Sequence, residues 1–478
     1  TGDTRTTSAA GIGMPRSNMG QVPPGAGPGG SGRRASATFA AASFAPSFAT
    51  CPQSGFFDLS RAILHVDVNS AFLSWEAAWR LQHGDRTDLR ALPSVIGGDE
   101  STRRGIVLAC SLPAKQYGIH TGETLWQARK KCPDLVVAPP DQQLYTACSA
   151  ALAKLLSGYT PLLERYSIDE CFLDLTGTEC LQNRTPEGIA VEIRDRVRLE
   201  LGFTVNVGVS VNKLLAKTAS EFEKPDRVHT LYPHEIPARL WTLPVRELFL
   251  VGPRVAPRLY RLNIFSIGHL AQADPLLLQR HFKSLGPLLW QFANGYDDAP
   301  VRAGSAVPRA VGNSVSTPYD VDQEREALLF LHAVTETAAA RLREAGLLAR
   351  VVTVGLRTAT LAYASHQRRL PLPTDHTGTL QAQADQLFRE LWTGAPLRHV
   401  GISLSDLVDD RFEQECLFEP VSPQARALDA HIDALRDRYG RNALMRAGFV
   451  ASGIPPMAGG PQDTPSAGRS GMTGGDAP

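Results

Sequence analysis

The chain has 478 residues, 43% of them hydrophobic, with Lys+Arg 49 against Asp+Glu 48 and a formal net charge of +1. That hydrophobic share is ordinary for a globular protein, the length predicts about three domains, and no apolar run approaches the ~20 residues a membrane span needs. Near-neutral charge excludes a uniformly basic, histone-like binder, but not a nucleic-acid enzyme, for which the placement of charge is what counts.

Seven cysteines are scattered without any CxxC pair. This argues against a disulfide framework or a zinc site and predicts a reducing, cytoplasmic setting. Residues 1–55 are rich in Gly, Pro, Ala, Ser and Thr, with too little apolar surface to offset the entropy of ordering, and are expected to be disordered. They lack the charged-then-apolar order of a signal peptide, and Met14 and Met19 read as candidate starts. Residues 451–478 read as a second low-complexity tail.

Between the tails, RAILHVDV (61–68) has the pattern of a buried strand, and SAFLSWEAAWRLQHG reads as a helix ending at Gly84. Residues 141–158 are predicted helical, and LLERYSIDECFLDLTG (162–177) is expected to form two short strands meeting in a tight bend. The next helix has Thr185 as N-cap, Pro186 at its first position and Gly202 as its stop. The strand TVNVGVS and the helix NKLLAKTASEFE follow, which predicts a sheet with helices on one face and acidic residues at its strand ends.

Residues 239–302 combine short helices with a surplus of base, eight Lys/Arg against four Asp/Glu. Residues 309–407 show the order β-α-β-β-α-β, a split βαβ unit, with Val352, Val354 and Leu356 alternating against Thr353 and Arg357. A helix-like stretch, ARALDAHIDALRDRYGRNALMRAG, lies beyond it with no role readable from its residues.

Asp67 ends the first strand, and Asp169 and Glu170 sit at the bend of the later pair. Such residues can be solvated turn residues. Three of them in apolar strand contexts point instead to convergence on a hard divalent cation, because buried, unpaired carboxylates are costly.

HVDVNSAFLSWE (65–76) and YSIDECFLD (166–174) resemble the two signature stretches of the Y-family, or translesion, DNA polymerases, most closely the DNA polymerase IV-like branch. NVGVSVNKLLAKTASEFEKPD (206–226) and LPVRELFLVGPRVAPRLYRLNIFSIGHLA (243–271) are similar to two further stretches, so the resemblance runs over roughly 60–418. It implies an α+β, right-hand polymerase: a ferredoxin-like palm at 59–70 and 141–238, small fingers at 71–140, a helix-hairpin-helix thumb at 239–302 and a β-α-β-β-α-β little finger at 303–412. A disordered tail at 1–58 and a C-terminal helix with a disordered tail at 419–478 flank these parts.

The same resemblance implies residue roles. Asp67, Asp169 and Glu170, with the Val68 carbonyl, would hold two Mg²⁺ ions. Phe72 falls at the steric gate that excludes a ribose 2′-hydroxyl, and Lys224 would meet the triphosphate of the incoming dNTP. Ser70 would cap the helix or touch phosphate, with the cap favoured. Where the family usually has a tyrosine and an arginine that clamp the triphosphate, this chain has Leu112 and Lys115, and only Lys115 retains a positive charge.

In the thumb-like segment Gly252 is present, but Leu250 stands where another glycine is common. Arg254 and Arg258 would meet DNA phosphates there, and Arg309, Asn313, Ser314, Thr353, Arg357, Arg368 and Arg369 on the polar strand faces beyond. QECLF (414–418) resembles a sliding-clamp peptide, with Leu417 and Phe418 entering an apolar pocket and Gln414 anchoring by hydrogen bonds. GGDE (97–100) is similar to a diguanylate cyclase signature, but Ser101 replaces its aromatic, and Gly97-Gly98 reads as a turn. The expected activity is thus error-prone, Mg²⁺-dependent primer extension by a monomer, with no stretch left for proofreading. A catalytically weak scaffold recruited to the clamp is the alternative.

Overall fold

The structure, a computed structural model, describes residues 57–100, 105–178, 181, 183–304, 308–411, 423–450 and 452–458. The N-terminal stretch expected to be disordered, the clamp-like peptide 414–418 and the end of the C-terminal tail lie outside the described residues. The first part runs β1 (Ile63–Val68), α1 (Ala71–Gln82), β2 (Ser94–Gly97), β3 (Val107–Cys110), α2 (Leu112–Gln116), α3 (Leu125–Lys131), β4 (Val136–Ala138) and α4 (Gln142–Leu156). β5 (Leu163–Arg165), β6 (Glu170–Asp174), α5 (Pro186–Arg196), β7 (Val205–Ser210), α6 (Lys213–Ser220) and β8 (Val228–Thr230) follow. Next come α7 (Ala256–Tyr260), α8 (Ile267–Ala271), α9 (Pro275–Phe282) and α10 (Leu285–Ala293). The last part is β9 (Ala310–Val321), α11 (Glu324–Glu344), β10 (Leu347–Thr358), β11 (Tyr363–Thr374), α12 (Thr377–Leu391), β12 (Leu397–Asp409) and α13 (Pro423–Tyr439). Among the described residues the strands form sheets ordered β5-β6-β1-β7-β8, β3-β2-β4 and β11-β10-β12-β9.

β1 is the middle strand of the five-stranded sheet, and all six of its residues are buried. A strand covered on both faces reads as a continuous apolar run. Leu64, Val66 and Val68 pack with Trp75 of α1, Leu152 of α4 and Ile189 and Ile193 of α5. Ile63 faces the other way, against Phe172 and Ala216 of α6. Helices therefore cover both faces, which corrects the expectation of a single covered face. The approach of α6 depends on Gly208 of β7, where a Cβ would fall 1.9 Å from the Ala216 carbonyl oxygen.

α5 starts as its sequence predicts, with the Thr185 hydroxyl accepting from Gly188 N–H at 3.1 Å, and the chain stops at Gly202, φ +78°. Residues of α7–α10 build a separate apolar core around Trp241, Leu259, Leu270 and Leu289, which Leu215 and Ala219 of α6 join. In the small sheet, Gly97 is the last residue of β2 rather than a turn residue, and a Cβ there would collide with the Leu125 side chain.

The third sheet carries Val352, Val354, Val400, Ile402 and Leu404 against α11 and α12. Two expectations about its other face are corrected by strand parity. Asn313 lies opposite Ile402, so it points inward, where its Nδ2 donates to the Ala458 carbonyl at 2.5 Å. Arg368 lies opposite Val352, so it too leaves on the helix side and binds both Glu390 oxygens at 2.7 and 2.9 Å.

α13 docks through its charged side. Arg436 binds the buried Glu336 of α11 at 2.9 Å, and Arg446 binds the same carboxylate. Arg343 of α11 donates to Asp433 at 2.6 Å, and Asp429 accepts the N–H of Thr377, the first residue of α12, at 2.8 Å. Residues 452–458, predicted as the start of a low-complexity tail, are instead packed. Ile454 and Ala458 join the core, and the Ala458 carbonyl accepts from Thr337 at 3.1 Å. Their Gly/Pro-rich composition hides two apolar side chains, Ile454 and Met457, sufficient to seat them.

Candidate active site

The site grows from the register of three strands. Asp67 is paired with Glu170 across β1 and β6 and with Asn206 across β1 and β7. All three side chains leave one face, that of α6. The Val68 N–H donates to the Asp169 carbonyl at 3.1 Å, tying the bend to the end of β1. Ser167 shapes the bend: its oxygen accepts from Glu170 N–H at 3.1 Å and donates to the Asp169 carboxylate at 2.5 Å.

Each carboxylate of the row already has a cationic partner. Lys224 is ion-paired with Asp67 and, at 2.9 Å, with Glu221, while Lys217 of α6 is ion-paired with Glu170. Burial pushes the Asp67 carboxyl up to about 6, with Lys224 working against the shift and Glu221 and Glu170 adding to it. Burial works to lower the Lys224 ammonium, but Asp67 and Glu221 prevail and raise it. Asn69 and Asn206 brace the loop that carries Lys224: Asn69 donates to Asn206 at 3.1 Å and accepts from Asp226 N–H at 3.0 Å, and Asn206 donates to the Glu223 carbonyl at 2.7 Å. Sequence alone does not single out Lys217, Ser167 or Asn206. The helical spacing of Lys213 and Lys217 on α6 was the available signal for the first.

The donor set is hard oxygen on one face, and the positions beside it are filled by ammonium groups, so its chemistry fits a divalent cation of the Mg²⁺ type. Among the described residues, no three His, Cys, Asp or Glu side chains are gathered closely enough to hold a metal as they stand. Asp169 turns to Ser167 and Glu170 to Lys217 instead.

Phe72 is half-buried on α1 and stacks on Tyr145, centroids 4.6 Å apart and planes within 10°. Ser70 precedes α1 in a left-handed conformation, φ 48°, and its side chain makes no capping bond, which corrects the expected cap. In that conformation the helix N-terminus lacks the extended backbone that directs a cap hydroxyl toward it. Lys115 and Leu112 are both exposed on α2, without hydrogen bonds or ion pairs to the carboxylate row among the described residues.

The turn before α7 holds both thumb-like positions singled out in the sequence. Leu250 has φ +71°, a left-handed backbone, whereas Gly252 has open space around it. Arg254 is exposed, but Arg258 is occupied, donating to the His281 carbonyl and lying 4.5 Å over the Phe282 ring. Arg309 is exposed just before β9. Arg357 lies on the open face of the third sheet, 5.8 Å from the Tyr363 ring and in the row that also holds His399.

A relative from Clostridium acetobutylicum named DNA polymerase IV is 42% identical over 390 residues, covering 81% of this chain and 98% of the relative. The chain belongs to the Y family of DNA polymerases. Its DNA polymerase IV relatives include one from Moorella thermoacetica, 39% identical over 81% of this chain and 95% of the relative, and DNA polymerase IV 2 of Bacillus subtilis, 34% identical over 82% and 95%. Residues 66–221 match the impB/mucB/samB family, and residues 308–417 its C-terminal domain. A solved Y-family DNA polymerase chimera of Dbh and Dpo4 superposes with a TM-score of 0.65 at 22% identity, over 73% of this chain and 99% of the chimera. This Y-family membership makes the chain a DNA-directed DNA polymerase and sets aside the cyclase reading of GGDE. No described helix is long and apolar enough to cross a membrane.

Proposed function

We propose that the chain is a monomeric translesion polymerase of the cytoplasm that extends a primer 3′ end with dNTPs on a damaged template, at low fidelity and without proofreading. The observation that carries this reading is the row Glu170–Asp67–Asn206, with Asp169 tied to Val68 beside it. Asp67, Asp169, Glu170 and the Val68 carbonyl would hold two Mg²⁺ ions, whose charge, when bound, favours an attacking 3′-oxygen and a departing pyrophosphate. Lys224 is placed to exchange Asp67 for a triphosphate oxygen, and Lys115 and Ser70 offer further phosphate contacts. Phe72, held flat by Tyr145, closes the space that a ribose 2′-hydroxyl needs.

Gly252, Arg254, Arg309 and Arg357 meet the DNA backbone through charge and close approach. Arg258 joins them only by leaving His281, and Arg368 only by leaving Glu390. Residues Gln414, Leu417 and Phe418 dock on a sliding clamp.

Primer extension past an abasic template site tests the reading. Wild type should extend in Mg²⁺, and Asp169→Ala/Glu170→Ala should not. Absence of extension by wild type sinks the enzyme reading in favour of a clamp-recruited scaffold. Deleting 414–418 should abolish clamp binding and leave unassisted synthesis intact.

A further inference from the structure

Lys213 and Lys217 stand one turn apart on α6 and serve different carboxylates. Lys213 binds both Glu164 oxygens, at 2.7 and 2.8 Å, on β5. Lys217 binds Glu170, the partner of Asp67, and both groups are largely shielded, 19% and 17% exposed.

That ammonium also meets an aromatic face. Its Nζ lies 5.3 Å over the Tyr166 ring. The imidazole of the buried His65 sits behind the same carboxylate, with Nε2 4.0 Å from Glu170 Oε1. The Ser220 hydroxyl donates to the Lys217 carbonyl at 2.7 Å and lies 2.8 Å from His65 Nδ1, so Nδ1 must be the ring donor. Nε2 therefore presents a bare lone pair, with no hydrogen-bond partner among the described residues. A compact ammonium is a point charge. It competes with a second cation for Glu170 Oε1, the oxygen it holds.

We propose that Lys217 is a positioning residue that stands in for a cation in the metal-free protein, holding Glu170 opposite Asp67 and yielding it when a divalent cation enters. The inference rests on the reading of Glu170 as a metal-binding carboxylate. Metal affinity of the resting enzyme is then set by a competition inside the chain.

The test uses full-length protein without DNA or nucleotide and follows Mn²⁺ binding through the EPR signal of the free ion. Lys217→Met should bind Mn²⁺ on the order of tenfold more tightly, and should melt at a lower temperature than wild type in EDTA, with Lys217→Arg restoring the melting temperature. Lys217→Gln carries the same expectation for Mn²⁺ should the Met variant not fold. Lys213→Met removes an equal charge from the same helix and should change Mn²⁺ affinity by less than about twofold. In a Glu170→Gln background, Lys217→Met should no longer tighten binding. Unchanged or weaker Mn²⁺ binding by folded Lys217→Met, or tightening no greater than that of Lys213→Met, overturns the proposal. If Glu170→Gln leaves Mn²⁺ affinity untouched, the metal reading of Glu170 fails and this inference falls with it. If Glu170→Gln weakens binding while Lys217→Met is neutral, only the inference falls.

Discussion

Asp67 and Glu170 are direct partners across an antiparallel strand pair, yet each carboxylate is met by a lysine from the α6 side of the sheet, Lys224 for one and Lys217 for the other. Side chains directly opposite in such a pair stand about 5 Å apart at Cβ, and like charges there repel. The lysines offset that repulsion in the metal-free protein.

Asp67 makes stability depend on pH in a defined direction. Its folded carboxyl titrates at about 6 and its unfolded one near 3.8, so between those values the folded chain holds a proton that the unfolded chain has lost. Stability from this group is therefore lost as pH rises from about 4 to about 6, by on the order of 3 kcal/mol. Melted in EDTA, Asp67→Asn should match wild type below pH 4 and exceed it increasingly up to pH 6, with a constant gap above. A gap that shrinks with rising pH contradicts the burial argument.

Phe72→Ala removes the ring that stacks on Tyr145. Ribonucleotide incorporation should rise in primer extension, with a stability loss of about 1–2 kcal/mol for a half-buried aromatic. Loss of stability without any gain in ribonucleotide use would show that the ring is packing only.

Leu250 pays a backbone penalty at φ +71° while leaving 44% of its surface in solvent. Leu250→Gly should remove about 1 kcal/mol of that strain and let a phosphate approach the backbone there. Both the melting temperature and the affinity for primer-template DNA, read by anisotropy at fixed salt, should rise. A fall in both would mean that the leucine packs productively.

Glu336 is buried at the junction of α11 and α13 and accepts from Arg436, Arg446 and Gln381. Glu336→Ala leaves Arg436 buried without its carboxylate and should cost about 3–5 kcal/mol in urea unfolding. Glu336→Met/Arg436→Met replaces the pair with apolar volume and should recover most of that loss. Equal losses in the single and double variants would argue against an unpaired buried charge as the cause.

Much of this fold is legible in sequence where burial is continuous or strictly periodic. ILHVDV reads as a central strand, and the β-α-β-β-α-β order of 309–407 is found as read, since stretches such as 352–356 alternate and the helices between the strands are amphipathic. Legibility fails where parity or partner choice decides. Asn313 and Ser314 are neighbours on one strand and cannot share a face, and Arg368 reaches around to Glu390 because its position is set by its pairing with Val352. α13 misleads by inversion: Leu428, Leu435 and Tyr439 are exposed, whereas Asp429 and Arg436 are buried in ion pairs. In the candidate site, the carboxylates stand out by their strand-end positions. Lys217 does not, because a lysine on a helix looks like any solvated charge until the sheet beneath it is known.

The docking of α13 has a mechanical consequence for the stretch of sequence between it and β12. β12 ends at Asp409 within a packed sheet, and the chain is pinned again from Pro423 onward by Asp429, Asp433 and Arg436. Between Asp409 and Pro423 the sequence has 13 residues, a contour of at most roughly 50 Å at about 3.5 Å per residue. That contour bounds how far the proposed clamp-binding residues reach from the packed sheet.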